Sequence, residues 1–208
     1  MGRASQYDPP MREWGRYRGR IAAVLSVLAV GAVLAAGCGE KGNPAAQDEK
    51  AKDAEVLNVA IGQELALVDA YRHGLPLLHD PETRAIARRY LAQEQEHIDG
   101  WTKAMRGLGG QVDAEAEELD YSGVKSERDF LLFIYELTSS QLTHFLEDVT
   151  QLSTPAPRSF AASIAANQAQ HLVVLRQTLG AGLLEAVPDS FDTGEVPPPA
   201  TETPHGKG

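Results

Sequence analysis

The sequence predicts an all-α fold, a four-helix bundle made of two repeated helical hairpins joined by a long crossover. Three observations carry this. Between residues 53 and 180, apolar residues recur at intervals of three and four through four segments, as the buried stripe of a helix requires. Shifting the sequence by 74 residues without a gap superimposes Leu57 on Leu131, Leu78 on Leu152, Pro81 on Pro155, Arg84 on Arg158, Ala87 on Ala161 and His97 on His171. The two copies are separated by GLGGQVDAEAEELDYSGVK, residues 107–125, which has no such stripe.

At the N-terminus, residues 21–36 (IAAVLSVLAVGAVLAA) form an uncharged apolar run behind Arg12, Arg16, Arg18 and Arg20, the charge-then-apolar order of an export signal; Met11 is an alternative start. Sixteen residues fall short of the roughly 20 that span a bilayer. Ala35-Ala36-Gly37-Cys38 resembles the lipobox of bacterial lipoproteins, with Ala35 where Leu is commonest. The resemblance implies cleavage before Cys38, its lipidation, and a chain held on the extracytoplasmic face of the cell membrane; an uncleaved membrane anchor is the alternative. Residues 38–52 are polar and read as a flexible tether, and Cys38 is the only cysteine, so no intrachain disulfide forms.

The first helix carries the stripe Leu57, Ile61, Glu64, Val68, Tyr71, Leu75 and Leu78. Asp80-Pro81 then supplies an N-cap and a first-turn proline, and the second helix follows with Ile86, Tyr90, Glu94, His97, Trp101 and Leu108. The crossover of about 19 residues reaches roughly 60 Å when extended, more than the 37 Å or so of a 25-residue helix, so the second hairpin starts at the far end. Ser126 and Asp129 form an S-x-x-D start signal. The third helix has Leu131, Ile134, Thr138, Leu142, Phe145 and Leu152; Thr154-Pro155 caps and starts the fourth, which carries Ile164, Gln168, His171 and Leu175 up to a stop at Gly180. Each hairpin has one apolar side, and burying the two together gives a bundle spanning 53–180. Residues 181–208 read as a disordered, Pro-rich acidic tail.

The net charge is −10; five Arg against Asp8 and Glu13 put +3 in the first 37 residues, leaving about −13 on the remainder. That charge is repelled by nucleic acid and by anionic lipid surfaces, so the expected membrane contact is the N-terminal lipid and nucleic acid is excluded as a partner.

Two carboxylates and two histidines interrupt the apolar stripes. Glu94 and His97, three residues apart, project from one side of the second helix; Glu64 faces them from the first, and the repeat brings His171 to the matching place on the fourth. This set resembles the ferritin-like superfamily, nearest to the ferritin-like domains of bacterial envelope proteins. Its members hold two iron or manganese ions with a Glu from each of two helices and Glu-x-x-His from each of the other two. The resemblance implies metal ligation by Glu64, Glu94, His97 and His171. The second copy departs from it: Thr138 stands at the position of Glu64, and Gln168 at that of Glu94. Two carboxylates do not neutralise and bridge two divalent ions. Three arrangements remain, of which an intact dinuclear oxidase fits that charge least. One divalent ion (Fe, Mn or Zn) is held by Glu64, Glu94 and His97, with His171 or water completing the shell, in a redox or metal-handling role of the oxidase or peroxidase type. Otherwise the residues form a metal-free hydrogen-bonded network with Thr138 and Gln168 as donors, inside a non-catalytic structural or partner-binding bundle. Glu136, two residues from Thr138, is turned away from the stripe by about 200°. His73, His79, His144 and His205 fall outside the stripes.

Overall fold

The computed structural model describes residues 43–187. They form four α-helices, α1 (Pro44–Gly74), α2 (Pro81–Leu108), α3 (Glu127–Gln151) and α4 (Pro155–Thr178), with a single 3-10 turn (Leu75–Leu77) extending α1. No strand occurs among the described residues. The segment expected to be an export signal, Cys38, residues 188–208 and His205 lie outside them.

The helix starts follow the capping chemistry of the sequence, with two corrections. Asp80 accepts a hydrogen bond from the Thr83 amide at 2.7 Å, and Ser126 accepts one from the Asp129 amide at 3.2 Å. α1 begins nine residues before the expected boundary, because Asn43 caps it, accepting from Ala45 N at 3.2 Å, and Pro44 opens it. Residues 44–52, read as tether, are therefore helical. They are wholly exposed, so no apolar stripe marks them. The second correction is at α4: Thr154 occupies the cap position but its side chain makes no cap bond. Asp53 on α1 takes that role, its carboxylate accepting from Ser153 N at 2.8 Å and Thr154 N at 2.7 Å.

α2 stops at Gly109, whose φ of 81° lies in the left-handed region that glycine adopts without strain. α4 stops before Gly180, where Ala181 N donates back to Arg176 O at 2.9 Å. The next residues do not run free: Arg176 donates to Glu185 O at 2.8 Å and Ala186 is buried, so the tail expected from residue 181 is folded back through residue 187.

Paired contacts fix the direction of each helix. Glu127, at the start of α3, accepts from His79 N in the α1–α2 turn at 2.7 Å. Asp53, early in α1, caps the α3–α4 turn in the same way. The two acids lie 74 residues apart, as do the peptides they hold, so a two-fold axis relates the hairpins. Arg84 and Arg158 repeat the relation, their Nε atoms donating to Leu78 O at 3.0 Å and to Leu152 O at 2.7 Å. α3 thus starts beside the end of α1, and the order is up, down, crossover, down, up. The crossover lies along α1: Asp113 N donates to Asn58 at 3.0 Å, and Tyr121 donates to Asp69 at 2.7 Å while stacking on His73. Gly62 permits this close approach, since a Cβ there would sit 2.8 Å from the Glu115 carbonyl oxygen. The core is continuous, with Leu57, Tyr71, Trp101, Phe130, Ile134 and Phe145 among its buried side chains.

Candidate metal centre

The polar residues predicted to interrupt the stripes converge inside the bundle. Glu64, Glu94, Thr138 and Gln168 are completely buried, His171 is 1% exposed, and only His97, at 13% side-chain exposure, approaches the surface. Regular helical spacing accounts for the arrangement. Glu64 shares its face of α1 with Ile61 and Val68; Glu94 and His97 lie one turn apart on α2 between Tyr90 and Trp101, and hydrocarbon burial on either side carries the polar groups inward.

Glu94 is the hub. Its Oε2 is 3.0 Å from His97 Nδ1 and accepts from Gln168 Nε2 at 2.8 Å; its Oε1 is 3.3 Å from His171 Nδ1. His97 Nδ1 also lies 3.3 Å from Glu64 Oε1. His171 turns its other nitrogen, Nε2, to Gln93 Oε1 at 2.9 Å, and its ring stacks on Tyr90 with centroids 3.7 Å apart. Ligand atoms of Glu64, Glu94 and His97 all lie within 4.8 Å of one another.

Burial would raise the pKa of either carboxylate, but the two end up on opposite sides of the ordinary range. For Glu94 the hydrogen bonds and charges of His171 and His97 outweigh burial and bring it to about 2, so it is ionised. Glu64 has only His97 to oppose burial and the neighbouring Glu94 charge, and its pKa is pushed well above the carboxylate range. Burial alone would lower His97; hydrogen bonds to Glu64 and Glu94 raise it to about 10. Without a metal, Glu94 and Glu64 thus hold His97 toward its imidazolium form, while burial disfavours the charged form of Glu64. Tyr90 is raised to about 12 by burial and the Glu94 charge.

Glu64, Glu94 and His97 come together as the spacing predicts. His171 does not join that triad, because it meets Glu94 at the opposite oxygen. Gln168 donates to Glu94 as the network reading requires. Thr138 does not reach the carboxylates: its hydroxyl faces the Tyr71 phenol. Glu136 is half-buried and outside the cluster, with burial raising its pKa. His73, His79 and His144 are exposed. Gln93 was not foreseen, since it lies off the stripe and only the position of His171 on α4 gives it a role.

The family profile described as Ferritin-like domain matches residues 52–181. The chain belongs to the ferritin-like domain family. Among solved structures it is similar to a conserved hypothetical protein of Mycobacterium tuberculosis, with 20% identity and a TM-score of 0.57 over 64% of this chain and 94% of that one. It is also similar to ferritin-like, diiron-carboxylate proteins of Bacillus anthracis, with 15% identity and a TM-score of 0.57 over 64% of this chain and 98% of theirs. At these identities the likeness establishes the fold alone. A comparison with curated proteins gave no match.

Proposed function

We propose that this ferritin-like bundle holds one divalent ion, Fe, Mn or Zn, between Glu64, Glu94 and His97, in a redox or metal-handling role at the bacterial envelope. The observation that carries the reading is the convergence of these three ligands in the buried interior. The donors fit such an ion: both oxygens of Glu64 and Oε1 of Glu94 are buried without a hydrogen bond of good geometry, a condition costing several kcal/mol that a cation would relieve. Two carboxylates neutralise one divalent ion and leave no anion to match a second.

A bound iron or manganese ion would supply one-electron chemistry, and zinc would supply Lewis acidity alone. The protein's part is to release the His97 proton as the ion enters, to hold Glu94 with the Gln168 amide, and to exclude bulk water with Tyr71 and Tyr90. Two carboxylates are too few for a dinuclear oxidase or peroxidase, so ion binding stands apart from that chemistry.

The same hydrogen bonds support a second reading. Gln168 to Glu94 at 2.8 Å and His97 to Glu94 at 3.0 Å already form a network without a metal, as in a structural or partner-binding bundle. Elemental analysis of untagged protein separates the two. One ion per chain, lost in Glu94→Gln and His97→Ala, is expected; protein that takes up no Fe, Mn or Zn would establish the network reading.

The proposal includes attachment to the membrane by a lipid on Cys38. Its support is the sequence of residues 21–38. Mass spectrometry of membrane-extracted protein should find diacylated Cys38 as the first residue. Unmodified Cys38, or a chain retaining Arg20, would refute it.

A further inference from the structure

We infer that Gln168, and not Thr138, limits the centre to one ion. The inference rests on the one-ion reading and assigns the residue that enforces it. On the side of Glu94 away from His97, two ligand atoms of a second position already face each other. His171 Nδ1 and Glu94 Oε1 lie 3.3 Å apart on buried side chains. The orientation of His171 is held from outside: a Gln side-chain oxygen can only accept, so Nε2 donates to Gln93 Oε1, and Nδ1, which faces Glu94, is the nitrogen a metal would take in place of any proton there. Stacking on Tyr90 fixes the ring plane.

Gln168 occupies the two-fold mate of the Glu94 position, with its Nε2 2.8 Å from Glu94 Oε2. Its amide has one permitted orientation, because an ionised carboxylate only accepts and the NH2 end must face it. The result is the positive edge of an amide where a second ion needs a bridging anion, with Oε1 buried and unbonded on the other side. The charge count agrees. A second divalent ion would bring two positive charges into a buried centre whose only anionic groups, Glu64 and Glu94, are already matched by the first. Thr138 is a bystander, directed at Tyr71 and making no bond to Glu94.

One substitution should therefore change the ion count. Gln168→Glu places a carboxylate against Glu94 and beside His171, which repels without metal and bridges with it. The experiment equilibrates each full-length protein with Mn2+ alone, counts ions per chain, and records the electron paramagnetic resonance spectrum, in which bridged manganese ions are exchange-coupled. The unaltered protein and Thr138→Glu should each bind one uncoupled ion; Gln168→Glu should bind two coupled ions. If Gln168→Glu loses its helical circular dichroism, Gln168→Asp, one methylene shorter, takes its place with the same expectation. One ion in both the unaltered protein and the Gln168 variant would overturn this inference and leave the one-ion reading standing. Two ions in Thr138→Glu would overturn the assignment to Gln168. No ion in the unaltered protein with two in Gln168→Glu would overturn the one-ion reading and keep Gln168 as the determinant; two ions in the unaltered protein would overturn both.

Discussion

Replacing Asp53 by alanine should destabilise the bundle by about 3 kcal/mol, well beyond the matching change at Glu127. Asp53 is 1% exposed and its two oxygens accept from Ser153 N at 2.8 Å and Thr154 N at 2.7 Å, at a helix start where Thr154 offers no cap of its own. Hydrogen bonds to a charged group contribute about 1.5–3 kcal/mol each, and two at the lower end give about 3 kcal/mol. Glu127 is half-buried and makes one such bond, to His79 N, so its removal should cost about 1 kcal/mol, the usual loss of a cap. At roughly 2–4 °C per kcal/mol for a chain of this size, Asp53→Ala should melt about 10 °C lower. Asp53→Asn, which keeps one acceptor and loses the charge, should fall between. The effect has a pH signature. Burial pushes the Asp53 carboxyl up, but hydrogen bonds from Thr154 and Ser153 outweigh it and hold the pKa below the ordinary value. A depressed folded pKa gives stability that is full above the unfolded value, about 3.9, and is lost as the pH falls through the folded one. The gap between wild type and Asp53→Ala should thus narrow below about pH 4. Urea unfolding followed by circular dichroism at neutral and acid pH tests this. A loss under 1 kcal/mol, or an equal loss for Glu127→Ala, would mean that water reaches the α3–α4 turn and the tertiary cap adds little.

Three further outcomes follow from the same geometry. Gly62→Ala should lose about 1 kcal/mol in urea unfolding, since a strain of 1–3 kcal/mol against the Glu115 carbonyl exceeds the gain in helix propensity of about 1 kcal/mol; a more stable variant would show that the crossover yields freely. Because His97 is raised to about 10, a metal at Nδ1 must displace a proton, and Mn2+ affinity by titration calorimetry should rise about tenfold per pH unit between roughly pH 6 and 9. A flat profile would place the ion away from His97. Burial, with the Glu147 charge, raises Asp148 to about 7, so folding favours its protonated form: the penalty is absent below the unfolded pKa, grows as pH rises, and is complete above about 7. Asp148→Asn should therefore be more stable by about 1–2 kcal/mol at pH 8 and unchanged at pH 4, a discounted figure for a group that solvent partly screens; equal gains at both would point to packing.

What the sequence revealed was whatever burial makes periodic. Leu57, Ile61, Glu64, Val68 and Tyr71 could be placed on one face because every third or fourth residue is driven inward, and the polar members of the stripe came with them. Residues 44–52 gave no such signal, since an exposed helix needs only a start and favourable residues. Asp53, one residue inside the expected boundary, had no local partner to reveal it; its partners lie on the α3–α4 turn, 100 and 101 residues away. Thr154 was correctly placed as the cap position and wrongly credited with the bond, because a tertiary carboxylate had taken it. His171 was read as a fourth ligand from its place in the repeat. Only the side-chain geometry shows it at the other oxygen of Glu94.

The two-fold relation bears on why the centre is asymmetric. The pairs that hold the frame keep their chemistry across it, acid with acid at Asp53 and Glu127, guanidinium with guanidinium at Arg84 and Arg158. At the centre the related positions are Glu94 and Gln168, and they touch. Near a two-fold axis a residue meets its own mate, so two carboxylates there would face each other in a medium of low dielectric, and one would have to hold a proton or share a cation. A carboxylate against an amide satisfies itself: the amide donates, the carboxylate accepts, and the contact requires no ion. The bundle can then fold before metal arrives, with Glu64 the carboxylate left poorly matched. Burial also pushes the Glu64 carboxyl well above the ordinary range, and both its oxygens lack a hydrogen bond, a gap that a cation would fill. In the proposed one-ion centre, binding one ion and folding without any are therefore two consequences of the same pairing at Glu94 and Gln168.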